Sequence, residues 1–150
     1  MTITRANAEA VLIKRTGHML IVAGLDGTTN AGTNADLGDP IAFALRQCGV
    51  AVATPATPTT AEVQALETED QDPFFDLAEL RVLETCLQHV LDLVNTEAGS
   101  RVDEYSQLAN GLRLRIDRKL LQIRAAYGWS AGTIEAGYVY FDFAEHGDDE

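Results

Sequence analysis

The stretch "RVDEYSQLANGLRLRIDRKLLQIRAAY", residues 101–127, decides the fold because it reads as one long amphipathic helix. Its apolar residues recur at steps of three and four, the spacing that places side chains on one helix face. They are Tyr105, Ala109, Leu112, Ile116, Leu120, Ile123 and Tyr127. At 1.5 Å per residue the predicted helix spans about 40 Å, and its apolar face is a packing seam.

The preceding segment supplies a partner for this seam. Asp72-Pro73 is a strong helix start, because Asp accepts hydrogen bonds from the first N–H groups and Pro fits the first helical position. A helix over residues 73–95 follows, with a seam of Leu80, Leu83, Leu87, Val90 and Val94. Two long helices joined by a turn of about five residues pair as an antiparallel hairpin. We expect this hairpin to be the core of the fold.

The N-terminal part predicts shorter helices. Thr4 caps a helix over residues 5–16, and Gly17 stands where a left-handed C-terminal cap is wanted. A short turn of helix, "HMLIVAGL", follows, and residues 26–39 are rich in Gly, Asn, Thr and Asp, a composition typical of a loop.

Two further helices precede the hairpin. Asp39-Pro40 predicts the start of the helix "IAFALRQC", which Gly49 ends. Residues 50–58 carry two prolines and form a connector. "TTAE", residues 59–62, is a capping box for a short helix, and the acidic "ETEDQD" that follows is predicted to be a solvated hinge.

The composition indicates a folded protein that repels phosphate. Hydrophobic residues make up 46% of the 150 residues, and 11 basic against 23 acidic residues give a formal net charge of -12. Nucleic-acid binding requires an excess of cations, so this charge argues against it. An acidic surface could still line a channel through which DNA slides, since like charge removes the long-range attraction.

The sequence contains no complete motif for catalysis or for cofactor binding. Gly27 and Gly32 have the spacing of a phosphate loop, but Thr33 and Asn34 stand where Lys and Ser or Thr are needed. The three histidines, His18, His89 and His146, form no paired metal motif. We therefore expect no enzyme, no metal and no cofactor.

The two cysteines and the longest N-terminal apolar run indicate structural roles. Cys48 and Cys86 lie in apolar helical patterns and are predicted to be buried structural thiols. The longest apolar run near the N-terminus, "MLIVAGL", is too short to cross a bilayer, so we expect no membrane association and a cytoplasmic site of synthesis.

Basic residues are concentrated on the second long helix. Six of the 11 lie there: Arg101, Arg113, Arg115, Arg118, Lys119 and Arg124. One interpretation is a solvated face opposite the seam. The other is an electrostatic contact between subunits, in which Arg113, Arg115, Arg118, Lys119 and Arg124 face the acidic stretch from Glu62 to Asp76 of a neighbouring copy. Nucleic-acid binding is a third alternative, which the absence of interleaved aromatic residues disfavours.

The C-terminal stretch "TIEAGYVYFDF", residues 133–143, predicts a β-strand with two apolar faces. Ile134, Tyr138 and Tyr140 alternate with Val139, Phe141 and Phe143, and the acidic "AEHGDDE" follows. Such a strand needs a pairing partner for its backbone. It is predicted to be an arm that adds to a sheet of another protein. The alternative is a hairpin with "VAVAT", residues 50–54, in the same chain.

Three segments carry a resemblance to the head-to-tail connector adaptors of tailed bacteriophages, which form a ring beneath the portal. They are "ITRANAEAVLIKRTGHMLIVAGLDG", "DPIAFALRQCGV" and "AEVQALETEDQDPFFDLAELRVLETCL", followed by the basic second long helix. Together they cover most of residues 3–127. The resemblance lies in helix order and sequence texture, not in a diagnostic catalytic motif.

The resemblance implies a virion structural protein at the head-tail junction, made in the host cytoplasm. It implies a homo-oligomeric ring, usually of twelve subunits, that binds the portal through a terminal arm, receives a neck or tail-completion protein, and lets DNA pass. The arm would include Trp129, Ile134, Tyr138, Val139, Tyr140, Phe141 and Phe143. The alternative is a cytoplasmic helical homo-oligomer with an interaction or regulatory role.

We therefore expect a mainly α fold, a helical bundle built on the long antiparallel hairpin. Residues 1–128 would form a helical adaptor domain, and residues 129–150 an extended C-terminal β arm with an acidic tail.

Overall fold

The computed structural model describes residues 2–96 and 101–128, and all regular structure in these two ranges is helical. The elements are α1 (Arg5–Val22), α2 (Ala35–Gln47), α3 (Thr60–Gln64), a 3-10 turn (Thr68–Asp70), α4 (Gln71–Thr96) and α5 (Arg101–Tyr127). The predicted all-helical body is confirmed for these ranges. The predicted arm, residues 129–150, lies outside the described residues.

The hairpin of two long helices is confirmed. α5 has the predicted bounds, and α4 begins at Gln71, in the residues just before the predicted Asp-Pro start. In the α5 seam, five residues are buried: Ala109, Leu112, Ile116, Leu120 and Ile123. Gly128, which follows α5, has φ 65°, a left-handed conformation that glycine adopts without strain.

Helix α4 is the centre of the fold and packs against α5, α2 and α1. Residues 73–80 are all buried, so neighbours cover every side of the two turns that these residues form. Glu79 forms an ion pair with α5, whereas Arg81 pairs with Asp39 of α2. Glu79 and Arg81 are two positions apart, which corresponds to about 200° of rotation around the helix axis. α5 and α2 therefore lie on roughly opposite sides of α4.

The predicted end of the first helix at Gly17 is wrong, because α1 continues without a break to Val22. Gly17 is buried against the loop that follows, and a Cβ there would lie 3.0 Å from the carbonyl oxygen of Gly27. A Cβ on Gly27 would collide with the carbonyl oxygen of Gly17. The two glycines therefore allow loop and helix to touch, and the left-handed turn falls at Gly24, with φ 83°.

The predicted start of the second helix at Asp39-Pro40 is also wrong. α2 begins at Ala35, capped by Asn34, whose side chain accepts hydrogen bonds from the backbone N–H groups of Asp36 and Leu37. Pro40 lies in the second turn, where it removes one backbone hydrogen bond. The Asn cap offsets part of that loss.

A buried polar network ties α1 to two loops. Glu9, 0% exposed, accepts from Arg5 Nε at 3.0 Å, from the N–H of Asn34 at 3.0 Å and from the N–H of Gly32 at 2.8 Å. Arg5 also donates to the carbonyl oxygens of Asn34, at 2.9 Å, and Pro58, at 3.0 Å. These loops therefore fold onto α1 through charge-assisted hydrogen bonds.

The segment between α2 and α4 follows the prediction in part. Thr59 and Glu62 form the predicted capping box at the start of α3, and Gly49, with φ 86°, follows α2. The acidic hinge contains the 3-10 turn. Residues 50–54, the proposed partner strand of the alternative hairpin, have no strand conformation.

Candidate functional site

The basic residues of α5 do not form one continuous stripe. Arg113 and Arg118 are exposed, Arg115 and Arg124 are half-buried, and Lys119 is buried. Arg113 donates to the side chain of Asn110 at 3.0 Å within the helix. Arg115 donates to a backbone carbonyl oxygen of α1 at 3.2 Å. Only part of the predicted contact set is thus displayed to solvent.

Lys119 is the basic residue that turns inward. Its Nζ lies 2.8 Å from Asp76 Oδ1 and 2.6 Å from Glu79 Oε2, both on α4 of the same chain. Arg15 of α1 approaches the same Asp76 oxygen at 3.3 Å. Lys119 and Asp76 therefore join α1, α4 and α5, and both already have partners within the chain.

The last residue of α5 belongs to this cluster. The Tyr127 hydroxyl donates a short hydrogen bond to Asp76 Oδ2. Burial opposes ionisation of Asp76, but the hydrogen bonds from Lys119 and Tyr127 and the charges of Lys119 and Arg15 outweigh it and lower its pKa. Burial and the neighbouring Asp76 carboxylate raise the pKa of Tyr127. A charged carboxylate thus holds the end of α5, where the predicted arm would begin.

The outer face of α5 is apolar at its centre. Leu114 and Leu121 are 58% and 64% exposed, and a spacing of seven residues places them on the same face. Gly111 and Ala125 extend this face on either side, and Arg118 lies between the leucines. We call these five residues the α5 outer face. Sequence reasoning missed the leucines because it followed the stronger seam, although their spacing was visible.

The start of the acidic stretch predicted to receive a neighbour's basic residues, at Glu62 and Ala65, lines a shallow hollow of about 430 Å³. The lining residues are Gly49, Val50, Ala51, Ala61, Glu62 and Ala65. Glu67 and Glu69 follow directly and are exposed. Cys48 Sγ lies 3.9 Å from the carbonyl oxygen of Asp70, so the end of α2 is held against the acidic turn. We call the hollow with Glu67 and Glu69 the α2–α3 hollow.

One carboxylate of this hollow is already engaged. Glu62 accepts from the backbone N–H of Thr59 at 2.7 Å and of Ala53 at 2.8 Å. These hydrogen bonds lower its pKa. Glu62 therefore stabilises the connector, whereas Glu67 and Glu69 present their charge to solvent.

A second cavity, of about 380 Å³, lies between α4 and α5. Its walls are formed by Glu84, Leu87, Gln88, Leu91, Arg113, Ile116 and Asp117. It combines an apolar floor with charged residues at the rim, and it shares Arg113 with the basic residues of α5.

The candidate metal and thiol residues have structural surroundings. Among the described residues, no group of three His, Cys, Asp or Glu side chains is placed to hold a metal ion. Cys86 is buried, Cys48 is half-buried, and both are free thiols. Burial raises the pKa of Cys48 to about 12 and that of Cys86 to about 11. The prediction of a buried thiol is confirmed for Cys86.

The predicted arm residues, Trp129 to Phe143, lie outside the described residues, so their portal-binding role stays a prediction. Across residues 2–96 and 101–128, none of the helices is long and apolar enough to span a membrane. In comparisons with known proteins, the chain matches no family model, no curated protein and no solved structure.

Proposed function

We propose that this chain is a virion structural protein, an adaptor of the head-tail connector that forms an oligomeric ring between the portal and a neck or tail-completion protein. The observation that carries the proposal is the α5 outer face: a long helix, fixed on α4 along one side, presents two leucines and an arginine to solvent. The two leucines lie on one face of a helix that already has a packed seam, and contiguous exposed apolar patches mark protein interaction surfaces.

Two further observations support the proposal. The sequence resembles connector adaptors over most of residues 3–127. The net charge of -12 suits a ring whose lumen DNA crosses without binding, because like charges repel. In this assembly the protein acts at the head-tail junction of the virion after synthesis in the host cytoplasm, and it performs no catalysis and needs no cofactor.

The portal contact in this proposal is made by the arm after Gly128. The apolar residues Ile134, Tyr138 and Tyr140 on one face and Val139, Phe141 and Phe143 on the other would pair with a sheet edge and pockets of the portal, with Trp129 at the base. The cluster of Asp76, Lys119 and Tyr127 would fix the point from which the arm departs.

The test is an affinity pull-down from a lysate that produces virions, read by mass spectrometry. Three versions are compared: the full chain, a chain ending at Gly128, and a chain ending at Phe143 that loses only the acidic tail. We expect portal and neck proteins with the full chain and with the Phe143 version, and loss of the portal with the Gly128 version. Purified virions that lack this protein would refute the proposal.

A point variant separates docking from folding. Tyr140→Asp with Phe141→Asp should abolish portal binding and leave the helical circular dichroism unchanged. Loss of helical content would mean that the strand belongs to the chain's own core.

The second candidate is a cytoplasmic homo-oligomer with an interaction or regulatory role, which the exposed leucines also favour. It predicts a closed dimer whose arm is protected from hydrogen exchange without any other protein. Recovery of the same unrelated partners by all three versions would favour it over the connector.

A further inference from the structure

Two surfaces of the described chain are left apolar and oppositely charged. The α5 outer face has Leu114 and Leu121 around Arg118. The α2–α3 hollow is lined mainly by small apolar residues, and the exposed Glu67 and Glu69 follow its lining residue Ala65 by two and four positions in the chain. Within residues 2–96 and 101–128, neither Arg118 nor the two glutamates takes part in a salt bridge. The two surfaces are therefore complementary in charge, and both contain apolar residues.

We propose that the α5 outer face of one copy binds the α2–α3 hollow of the next copy. Leu114 and Leu121 enter the hollow, and Arg118 faces the carboxylates of Glu67 and Glu69. The alanines and glycine of the hollow, Gly49, Ala61 and Ala65, leave room for a leucine side chain because they are small. Burial of the leucines supplies affinity, and the charges set the orientation.

The positions of the two surfaces determine the kind of assembly. α5 packs on the Glu79 side of α4, and α2 packs on the Arg81 side, about 200° away. The residues that directly follow α2 line the hollow. A contact between different surfaces on opposite sides of a subunit is heterologous. Repetition of such a contact builds a ring or a filament, whereas an isologous contact stops at a dimer.

Charge argues against self-pairing of the α5 outer face. In an antiparallel pair of identical helices, the same flank of each helix meets across the interface, so two copies of Arg118 would lie near each other. Like charges in such positions are destabilising. The acidic hollow of the next copy is the better partner.

This contact also revises the electrostatic prediction made from the sequence. Lys119 and Asp76 have partners inside the chain. The proposed attraction between copies is therefore between Arg118 and the carboxylates of Glu67 and Glu69, in the first half of the acidic stretch. The inference rests on the proposed function for the expectation that copies meet side by side, and it names the surfaces through which they meet.

Disulfide cross-linking of the full chain tests the contact. One tagged copy carries Leu121→Cys, and a second, with a different tag, carries Ala65→Cys. The native thiols contribute little background because burial keeps them protonated. The mixture is oxidised mildly at about 1 mM protein, where weak contacts are populated, and also in producing cells. The matched control pairs Leu121→Cys with Lys14→Cys, an exposed position on α1.

We expect a cross-link between the two tags that exceeds the Lys14 control, and a ladder of oligomers beyond the dimer when one chain carries both substitutions. Arg118→Glu should lower the yield about five- to tenfold, because one attraction is lost and a repulsion is gained. Glu67→Lys with Glu69→Lys, in the copy that carries Ala65→Cys, should restore the cross-link yield of the Arg118→Glu variant. All of these positions are exposed, and circular dichroism checks that the variants fold.

Two results would overturn the inference: a stronger cross-link between two Leu121→Cys copies than between the two tags, or no cross-link above the Lys14 control under either condition. Different results would refute the proposed function and this inference. Portal and neck proteins recovered without the cross-link would leave the connector standing and remove this contact. A ladder without those proteins would leave the contact standing and remove the connector.

Discussion

Replacement of Glu9 by glutamine should destabilise the protein more than any conservative change on its surface. Glutamine has nearly the same volume as glutamate, so no cavity forms and the effect is electrostatic. The carboxylate of Glu9 is 0% exposed and accepts from Arg5, Gly32 and Asn34. An amide retains one oxygen, and its NH2 group points a donor at groups that are themselves donors.

The magnitude follows from the burial of both partners. Arg5 is 7% exposed and would lose its only carboxylate partner in the network. Breaking a buried ion pair by removing one partner costs about 3–5 kcal/mol, because the remaining charge is left uncompensated. We expect Glu9→Gln to lower the free energy of unfolding by that amount, which is a large share of the stability of a domain.

Guanidinium unfolding followed by circular dichroism measures the effect. With an m-value of about 4 kcal/mol/M, the midpoint should fall by about 1 M at unchanged slope. Asp117→Asn, an exposed acid on α5, is the matched control and should change stability by less than about 0.5 kcal/mol. A loss below about 1 kcal/mol for Glu9→Gln would refute the reasoning, because it would mean that water replaces the carboxylate at no cost.

A second variant tests why the pair is charged at all. Replacing both members of a buried ion pair by apolar residues is often neutral. Here Arg5 and Glu9 also satisfy backbone groups of Gly32, Asn34 and Pro58. Arg5→Met with Glu9→Met should therefore remain destabilising by about 3 kcal/mol or more, since these backbone groups lose their partners. A neutral double variant would show that the loops find water instead.

Three further predictions concern other parts of the fold. Asp76→Asn should lower the free energy of unfolding by about 2 kcal/mol at pH 7. Folding lowers the pKa of Asp76, so the stability that its carboxylate contributes is present above the unfolded pKa of about 3.9 and disappears as the pH falls through the folded value. The difference between variant and parent should therefore vanish in unfolding titrations toward about pH 2. Gly38→Ala drives a Cβ into the carbonyl oxygen of Ala56 and should lower the Tm by about 5 °C in calorimetry. Cys48 and Cys86 should react with a disulfide reagent at about pH 8 at least about 100-fold more slowly than in the unfolded chain, as absorbance would record, because burial raises their pKa.

The hairpin could be predicted from the sequence because its information is local and repeated. The α5 seam recurs over many turns, so single ambiguous residues do not change its period, and both of its bounds agree with the structure. The capping box at Thr59 and Glu62 was equally readable, since both partners lie within one turn.

The two errors in the N-terminal part arose where tertiary contacts override local preference. Gly17 resembles a helix end, but its lack of a side chain serves contact with Gly27, ten residues away. Asp39-Pro40 resembles a helix start, but Asn34 begins the helix earlier because its backbone and side chain are held by Glu9, Asp26 and the loop. Distant partners of this kind leave no periodic pattern.

The basic residues of α5 show why composition alone could not resolve the candidate site. Arg118 and Lys119 are neighbours in sequence, but a step of about 100° around the helix separates their environments. Lys119 is buried between two carboxylates of α4, whereas Arg118 lies on the outer face between two exposed leucines. The same helix therefore packs into the fold with one face and exposes Arg118 and the two leucines with another. In the proposed contact between copies, the Lys119 cluster would lower the entropy lost when the outer face binds, because it already fixes the other side of the helix. Loss of Lys119 should then weaken both folding and self-association, whereas loss of Arg118 should weaken self-association alone.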